Sequence, residues 1–323
     1  MNNDPEPGGE SLRSRMERLN RAPLRRDGEN QLPLDEIRRR LGKTGKKDVT
    51  AKPAAGEPAP VVFSRNLPRK APPRVTPKPS KYAVVLEDAV GGEAVNDPDF
   101  GPYFFVTPTA EELEGVDQIA KAFRQSFSRD GSGLCSELSR VVEPDEIHLR
   151  DMIFMDVEST GLGNSPLFLI GVMLWEEHGP EVRQYLARDY SEEAAVIASF
   201  VELCRDRKLL ITFNGKSYDL PHIRTRAAAT GAPFVFDAGH LDLLHVSRRH
   251  WKGRLPDCRL QTLERFICGR GRTGDIPGSE IPDAYHYYVQ SGNAVQIVEI
   301  LKHNALDLIT LADLMSRLPD PPT

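Results

Sequence analysis

Two carboxylates two residues apart end an apolar run in Ile153-Phe-Met-Asp156-Val-Glu158. On a β-strand, positions i and i+2 face the same side, so the acids would stand together and repel each other unless a cation lay between them. The pair is therefore either a divalent-metal site or a chance surface pair, and the apolar strand around it argues against chance. A second patch, Leu210-Ile-Thr-Phe-Asn214-Gly-Lys-Ser-Tyr218-Asp219-Leu-Pro221, reads as a buried strand that runs through a turn into a helix. Taken alone, Asp219 is a helix N-cap with Pro221 in the first turn. A third patch, His303-Asn-Ala-Leu-Asp307, stacks an imidazole and a carboxylate on one helix face, away from the main apolar stripe.

These groups need rigid elements behind them. From Met152 the pattern predicts strands at Met152 to Val157, Leu167 to Trp175 and Val182 to Ala187. A helix over Ser191 to Arg205, with Ser191 as its cap, and a fourth strand at Leu209 to Phe213 follow. A long helix from Ala294 to Leu318 closes the chain, its apolar face formed by Val298, Leu301, Ala305, Leu308 and Ala312. Strands alternating with helices specify an α/β domain with a mixed sheet flanked by helices, over residues 150 to 318. Ahead of it, Tyr82-Ala-Val-Val-Leu86 and Gly101-Pro-Tyr-Phe-Phe-Val106 read as strands and residues 110 to 127 as a helix, giving a small β-containing extension over 81 to 149 that packs on the main domain.

The first 80 residues differ in kind. Rich in Pro, Gly, Lys and Arg, they carry 18 Lys plus Arg against 10 Asp plus Glu, a net of +8, so the whole-chain −5 leaves −13 for the remainder. Too few periodic apolar positions exist there to offset ordering entropy, and a disordered tail is expected, with one short helical pattern at Leu34 to Leu41 and a Pro-rich linker over Lys52 to Lys78. The tail reads either as an arm that seeks phosphates of any sequence or as a solvated segment; its protein partners are unknown. Cys135, Cys204, Cys258 and Cys268 show no C-x-x-C pairing and read as small apolar groups rather than zinc ligands. With no secretory signal pattern and no apolar run of about 20 residues, a cytoplasmic protein with no membrane partner is expected.

Other arrangements carry less. Gly215-Lys-Ser217 lacks the glycine that a phosphate loop requires five positions earlier, where Leu210 stands. Gly269-Arg-Gly-Arg-Thr-Gly274 matches a dinucleotide fingerprint in letters but follows a helix pattern and reads as a loop. His240, His245 and His250, spaced by five, would scatter around a helix as packing or substrate-side residues. Arg248, Arg249, Lys252, Arg254, Arg270 and Arg272 form a basic set within the acidic domain, which reads either as the path of a polyanion toward the carboxylates, the favoured reading, or as a set that balances local carboxylates.

Asp156-x-Glu158, Asn214-x4-Asp219 with Tyr218 before the acid, and His303-x3-Asp307 together resemble the three ordered motifs of the DEDD exonuclease superfamily. Arg259-Leu-Gln-Thr-Leu-Glu264, Asp275-Ile-Pro-Gly278, Ile281-Pro-Asp-Ala-Tyr285 and His303-Asn304 are further similar to the YprB-type ribonuclease H-like proteins. The resemblance covers residues 150 to 315 and departs in one respect: a His occupies the spacing that the superfamily gives to a Tyr. It implies a 3′–5′ exonuclease that acts on nucleic acid, DNA or RNA, with two divalent cations, Mg²⁺ or Mn²⁺. Asp156, Glu158, Asp219 and Asp307 would hold the ions, and His303 would orient or deprotonate the attacking water. Asn214 and Tyr218, with the amides of Thr160, Gly161 and Leu162, would position the strand end. Two rival readings stand beside it: a nucleic-acid-binding or partner-docking module on the same fold, and a phosphoesterase of mononucleotides.

Overall fold

The computed structural model describes residues 83–321 except 110–111, 114 and 144–146, so the basic tail, its short helical pattern and the Pro-rich stretch lie outside the described residues. Seven strands form one sheet in the order β1-β2-β5-β4-β3-β6-β7: β1 (Gly92–Asp97), β2 (Gly101–Val106), β3 (Met152–Ser159), β4 (Leu167–Glu176), β5 (Gly179–Leu186), β6 (Leu209–Thr212) and β7 (Gly239–Asp242). The first five pair antiparallel along the sheet; β3 with β6 and β6 with β7 pair parallel. Mixed direction follows from the connections, since short links join β3, β4 and β5 whereas helices α4 (Glu193–Cys204) and α5 (Asp219–Thr230) carry the chain across to β6 and β7.

Each face of the sheet has its own core. On β3 the side chains alternate: Ile153, Met155 and Val157 join one cluster with Phe200 of α4 and Tyr285 of α8 (Ile281–Ser291), while Met152 and Phe154 join the other with Phe123 of α2 (Val116–Phe127). Asp156 and Glu158 continue the second series, on the face covered by the final helix α9 (Val295–Ser316). That helix contributes to both clusters, through Ile297, Ile300 and Leu301 at one end and Ala305, Leu308, Leu311 and Met315 at the other. It is buried almost all round over its second half, so His303 and Asp307, which lie away from the stripe of Leu301, Ala305, Leu308 and Ala312, face Asp275 and Arg272 rather than solvent, and His303 is 7% exposed.

Several boundaries differ from the sequence expectation. Residues 83–85 form no strand, because Val84 pairs with a loop, donating its N–H to Asn293 Oδ1 at 3.2 Å and accepting from the Ala294 N–H at 2.9 Å; a short helix α1 (Leu86–Ala89) follows. The second helix starts at Val116, after Gly115 in the left-handed region (φ 77°). Ser191 does not cap α4; its amide and hydroxyl both donate to Asp189 Oδ1, closing a turn before the helix. Strands β1 and β7 and the helix α3 (Gly133–Leu138) carry too little apolar periodicity to be read. Through the β2–β5 pairing the N-terminal hairpin is part of the same sheet as the strands of the main domain.

One close approach fixes the final helix on the sheet. Gly171 of β4 lies opposite Asp156 in register, and a Cβ there would overlap the Asn304 carboxamide. Gly171→Ala is therefore expected to destabilise the protein by about 1–3 kcal/mol through overpacking, read as a lower urea midpoint; an unchanged midpoint would contradict this packing.

Candidate active site

Strand β3 delivers Asp156 and Glu158 side by side, followed by a turn that Ser159 and Ser165 tie down by donating to Gly161 O at 2.8 and 2.5 Å. Beyond β6 the chain turns at Asn214, a non-glycine residue at φ 67°. Asp242, 2% exposed at the end of β7, holds that turn by accepting from the amides of Asn214 and Lys216 at 2.8 and 3.0 Å, and it caps α6 (Leu243–Trp251) through the Leu244 amide at 3.0 Å. The turn leads to Tyr218, whose hydroxyl donates to Gly161 O at 3.1 Å and so joins the second patch to the loop after the first. Asp219 is the first residue of α5 rather than its cap, and it is 6% exposed.

The final helix closes the group. Asn304 donates to Asp156 Oδ2 at 2.9 Å and accepts from Gln184 Nε2 at 2.9 Å, and Gln184 in turn donates to Leu301 O at 2.7 Å. Asp307 Oδ1 accepts from Arg272 at 2.5 Å, and Oδ2 lies 3.7 Å from His303 Nε2. The other ring nitrogen, Nδ1, sits 2.8 Å from Asp275 Oδ1.

The electrostatics show how close the four carboxylates are. Burial pushes Asp156 well above the usual carboxylate range, and Asp307, Glu158 and Asp219 push it further, against the hydrogen bond from Asn304. Burial, then Asp307, Asp219 and Asp275, raise Glu158 in the same way. Burial and the nearby Asp242 move Asp219 up to about 7. Asp307 is also raised by burial, although Arg272 and His303 oppose the shift. The site thus holds excess negative charge that protons or cations would relieve. All-oxygen donors of this kind suit Mg²⁺ or Mn²⁺, so the residues fit the expected ions. In this conformation no three His, Cys, Asp or Glu side chains among the described residues surround one ion position. Asp307, with one oxygen engaged by Arg272, is turned partly away from that task.

Of the residues singled out from sequence, Asp156, Glu158, Asp219, His303 and Asp307 come together, with Asn214 and Tyr218 shaping the adjoining turn. In the loop after β3 the Thr160 amide donates to Pro166 O at 2.9 Å and so is engaged within the loop, while Leu162 is 84% exposed. His240 lies on β7, against Thr212 Oγ1 at 2.8 Å, with its pKa lowered to about 4 by burial and by Lys216; it shares no helix with His245 and His250. His250 pairs with Glu137 at 2.9 Å. The basic set divides: Arg249 pairs with Glu137, Arg270 with Asp313 and Arg272 with three carboxylates. Arg248 and Lys252 instead line a cavity of about 710 Å³ whose wall includes Asp156, Asn214 and Asp307. Cys204 and Cys268 are buried in the two cores.

The sequence patterns give no role to Gln184, Asp242, Glu264, Asp275 or Asn304, and they put Arg272 with the basic set rather than on Asp307. Asp275, Glu264 and Asn304 fall inside the family-like segments quoted above, which was the available signal; Gln184 and Asp242 gave none.

The sequence pattern of the RNase_H superfamily matches residues 153–319. The uncharacterized protein YprB of Bacillus subtilis (strain 168) is 32% identical over 184 residues, 55% of this chain and 44% of that protein, so this chain spans under half of that relative's length. Among solved structures, the family B DNA polymerase of the archaeon Pyrobaculum calidifontis aligns at a TM-score of 0.43 with 16% identity, over 50% of this chain and 24% of that one. Exonuclease I of E. coli, in complex with a dA13 oligonucleotide, aligns at 0.29 with 13% identity, over 46% and 42% of the two chains. Scores this low carry nothing about function.

The raised carboxylates make stability depend on pH in a defined sense. A group whose folded pKa lies above its unfolded value binds more protons when folded, so it stabilises at low pH and loses that effect as pH rises through the folded pKa. For Asp219 the window runs from the ordinary carboxylate value to about 7, and Asp156 and Glu158 act in the same direction. The metal-free protein should melt at a lower temperature at about pH 8 than at about pH 5.5, and Mn²⁺ should raise the midpoint most at the higher pH. Equal midpoints with and without Mn²⁺ would count against a cation site and favour the docking-module reading.

Proposed function

The chain belongs to the RNase_H superfamily, and from that premise we propose that it is a metal-dependent nuclease, a 3′–5′ exonuclease that hydrolyses phosphodiester bonds of single-stranded nucleic acid. One observation carries the reading: four carboxylates from β3, α5 and α9 lie within one another's field, each with its proton affinity raised, and two of them, Asp156 and Asp307, line a cavity. Such a group stores repulsion that only a cation or protonation relieves, and its donors are those of phosphoryl chemistry.

In this proposal Asp156, Glu158, Asp219 and Asp307 hold the ions. Two bound Mg²⁺ or Mn²⁺ ions supply activation of a water and stabilisation of the leaving oxygen. Asn304 fixes one oxygen of Asp156, so that carboxylate has a set rotamer before any ligand arrives. Asp275 Oδ1, 2.8 Å from Nδ1, holds the His303 ring with Nε2 on the side of Asp307, where it would orient or deprotonate the attacking water. A histidine at the spacing usual for tyrosine still reaches the site, because Nε2 lies 3.7 Å from Asp307.

Substrate approaches along the cavity that joins Asp156 and Asp307 to Arg248 and Lys252. Its apolar wall, from Phe213, Leu244 and Leu255, suits the sugar and base, and the two cations suit the flanking phosphates. Leu162, almost fully exposed on the loop after β3, stands ready to pack against the terminal base.

With a labelled single strand and Mn²⁺, Asp156→Ala is expected to lower degradation by about 100-fold or more while its circular dichroism stays that of the wild type. Blocking the 3′ end should stop wild-type turnover. Undiminished turnover by the variant would remove Asp156 from the chemistry, and digestion from the 5′ end would reverse the polarity. For the cavity, Arg248→Gln combined with Lys252→Gln should reduce the slope of log affinity against log salt by about 1.4, roughly 0.7 for each single-strand phosphate no longer neutralised. Fluorescence anisotropy in Ca²⁺ reads this, and an unchanged slope would exclude these two cations from the strand path.

A further inference from the structure

The glycine-rich segment 269–274, which is not a nucleotide-binding fingerprint, places a cation inside the carboxylate group. It follows a π-helical turn (Glu264–Cys268), a form of backbone frequently found at functional sites, and is anchored between the buried side chains of Cys268 and Ile276. From it Arg272 turns inward until its side chain is only 7% exposed. Its guanidinium donates to Glu264 Oε2 at 2.7 Å, Asp275 Oδ2 at 3.2 Å and Asp307 Oδ1 at 2.5 Å, so one planar fork joins three carboxylates from three segments. Burial opposes a charge there, but Asp307 and Glu264 outweigh it and hold the guanidinium firmly protonated.

Asp307 is at the same time one of the four residues assigned to the ions. An oxygen bonded to Arg272 has one lone pair fewer for a metal, and a divalent ion beside a guanidinium would meet direct repulsion in a poorly screened place. We propose that Arg272 is the resident counter-ion of the site: it occupies Asp307 while the protein is metal-free and releases that oxygen when a divalent cation enters. Metal binding is then coupled to the 269–275 loop. Gly269 and Gly274, in the left-handed region at φ 69° and 73°, give the loop backbone freedom for the displacement. The inference rests on Asp307 being a metal ligand.

Two measurements test it. Calorimetric titration with Mn²⁺ should show Arg272→Gln binding about tenfold more tightly than the wild type, as expected when a competing conformation holds about nine-tenths of the unliganded population. Removing a positive charge would tighten metal binding even from a distance, so the second measurement uses the wild type alone: trypsin should cut after Arg272 faster with Mn²⁺ than without it. This arm also serves if the variant does not fold. Equal or weaker Mn²⁺ affinity in the variant, or a cleavage rate at Arg272 that Mn²⁺ leaves unchanged or slows, would overturn the displacement. Failure of both proteins to bind Mn²⁺ would instead overturn the metal-dependent reading, and this inference with it.

Discussion

Repulsion among Asp156, Glu158, Asp219 and Asp307 is the constraint around which the domain is arranged. Each is held out of bulk water and within the field of the others, and the cost appears as carboxyls that hold their protons too tightly. A fold can carry such a group only if the surrounding elements are fixed strongly enough to resist its expansion. Here a central sheet with a core on each face provides that fixity, and a helix contributing to both cores provides the lid. The groups that soften the repulsion are Asn304 and His303, carried by α9 itself, and Arg272 from an irregular loop.

Asn304 shows how backbone and site depend on each other. Its carboxamide reaches Asp156 because Gly171 leaves room on β4, and it is oriented because Gln184, fully buried, donates to it and to the Leu301 carbonyl. A strand glutamine and a helix asparagine thus form one connected polar network that ends on Asp156, in the room a strand glycine leaves. Asp242 plays the corresponding part for the second patch, with its carboxylate accepting amides of the turn that leads to Tyr218 and Asp219.

Much of this was legible in the chain. Strands β3 to β6 and the last helix follow from apolar runs of the right length, and the ordered carboxylates from their spacing. What escaped did so for physical reasons. Strand β1 is an edge with mostly exposed side chains, and β7 is four residues long with two of them polar, so neither shows alternation. The apolar stretch at residues 82–86 has β propensity but meets the loop at Asn293 instead of another strand. The arginine pattern admits either a phosphate path or neutralised carboxylates: Arg249, Arg270 and Arg272 take the second course, paired with Glu137, Asp313 and Asp307 far away in the chain. Only tertiary structure separates these from Arg248 and Lys252. Likewise, no spacing rule links Asp275 to His303, because an intervening helix lies between them.

The order of the elements along the chain gives the last helix a temporal role. Asp156 and Glu158 leave the ribosome about 150 residues before Asp307, and the helix that bears Asp307 also completes both cores. Domains generally acquire structure from the N-terminus as they are made, but here the sheet lacks a large part of its covering until α9 docks. Asn304 and Asp307 arrive with that docking, so an incomplete chain carries acids without the geometry that joins them. Assembly of the site and completion of the fold are therefore one event.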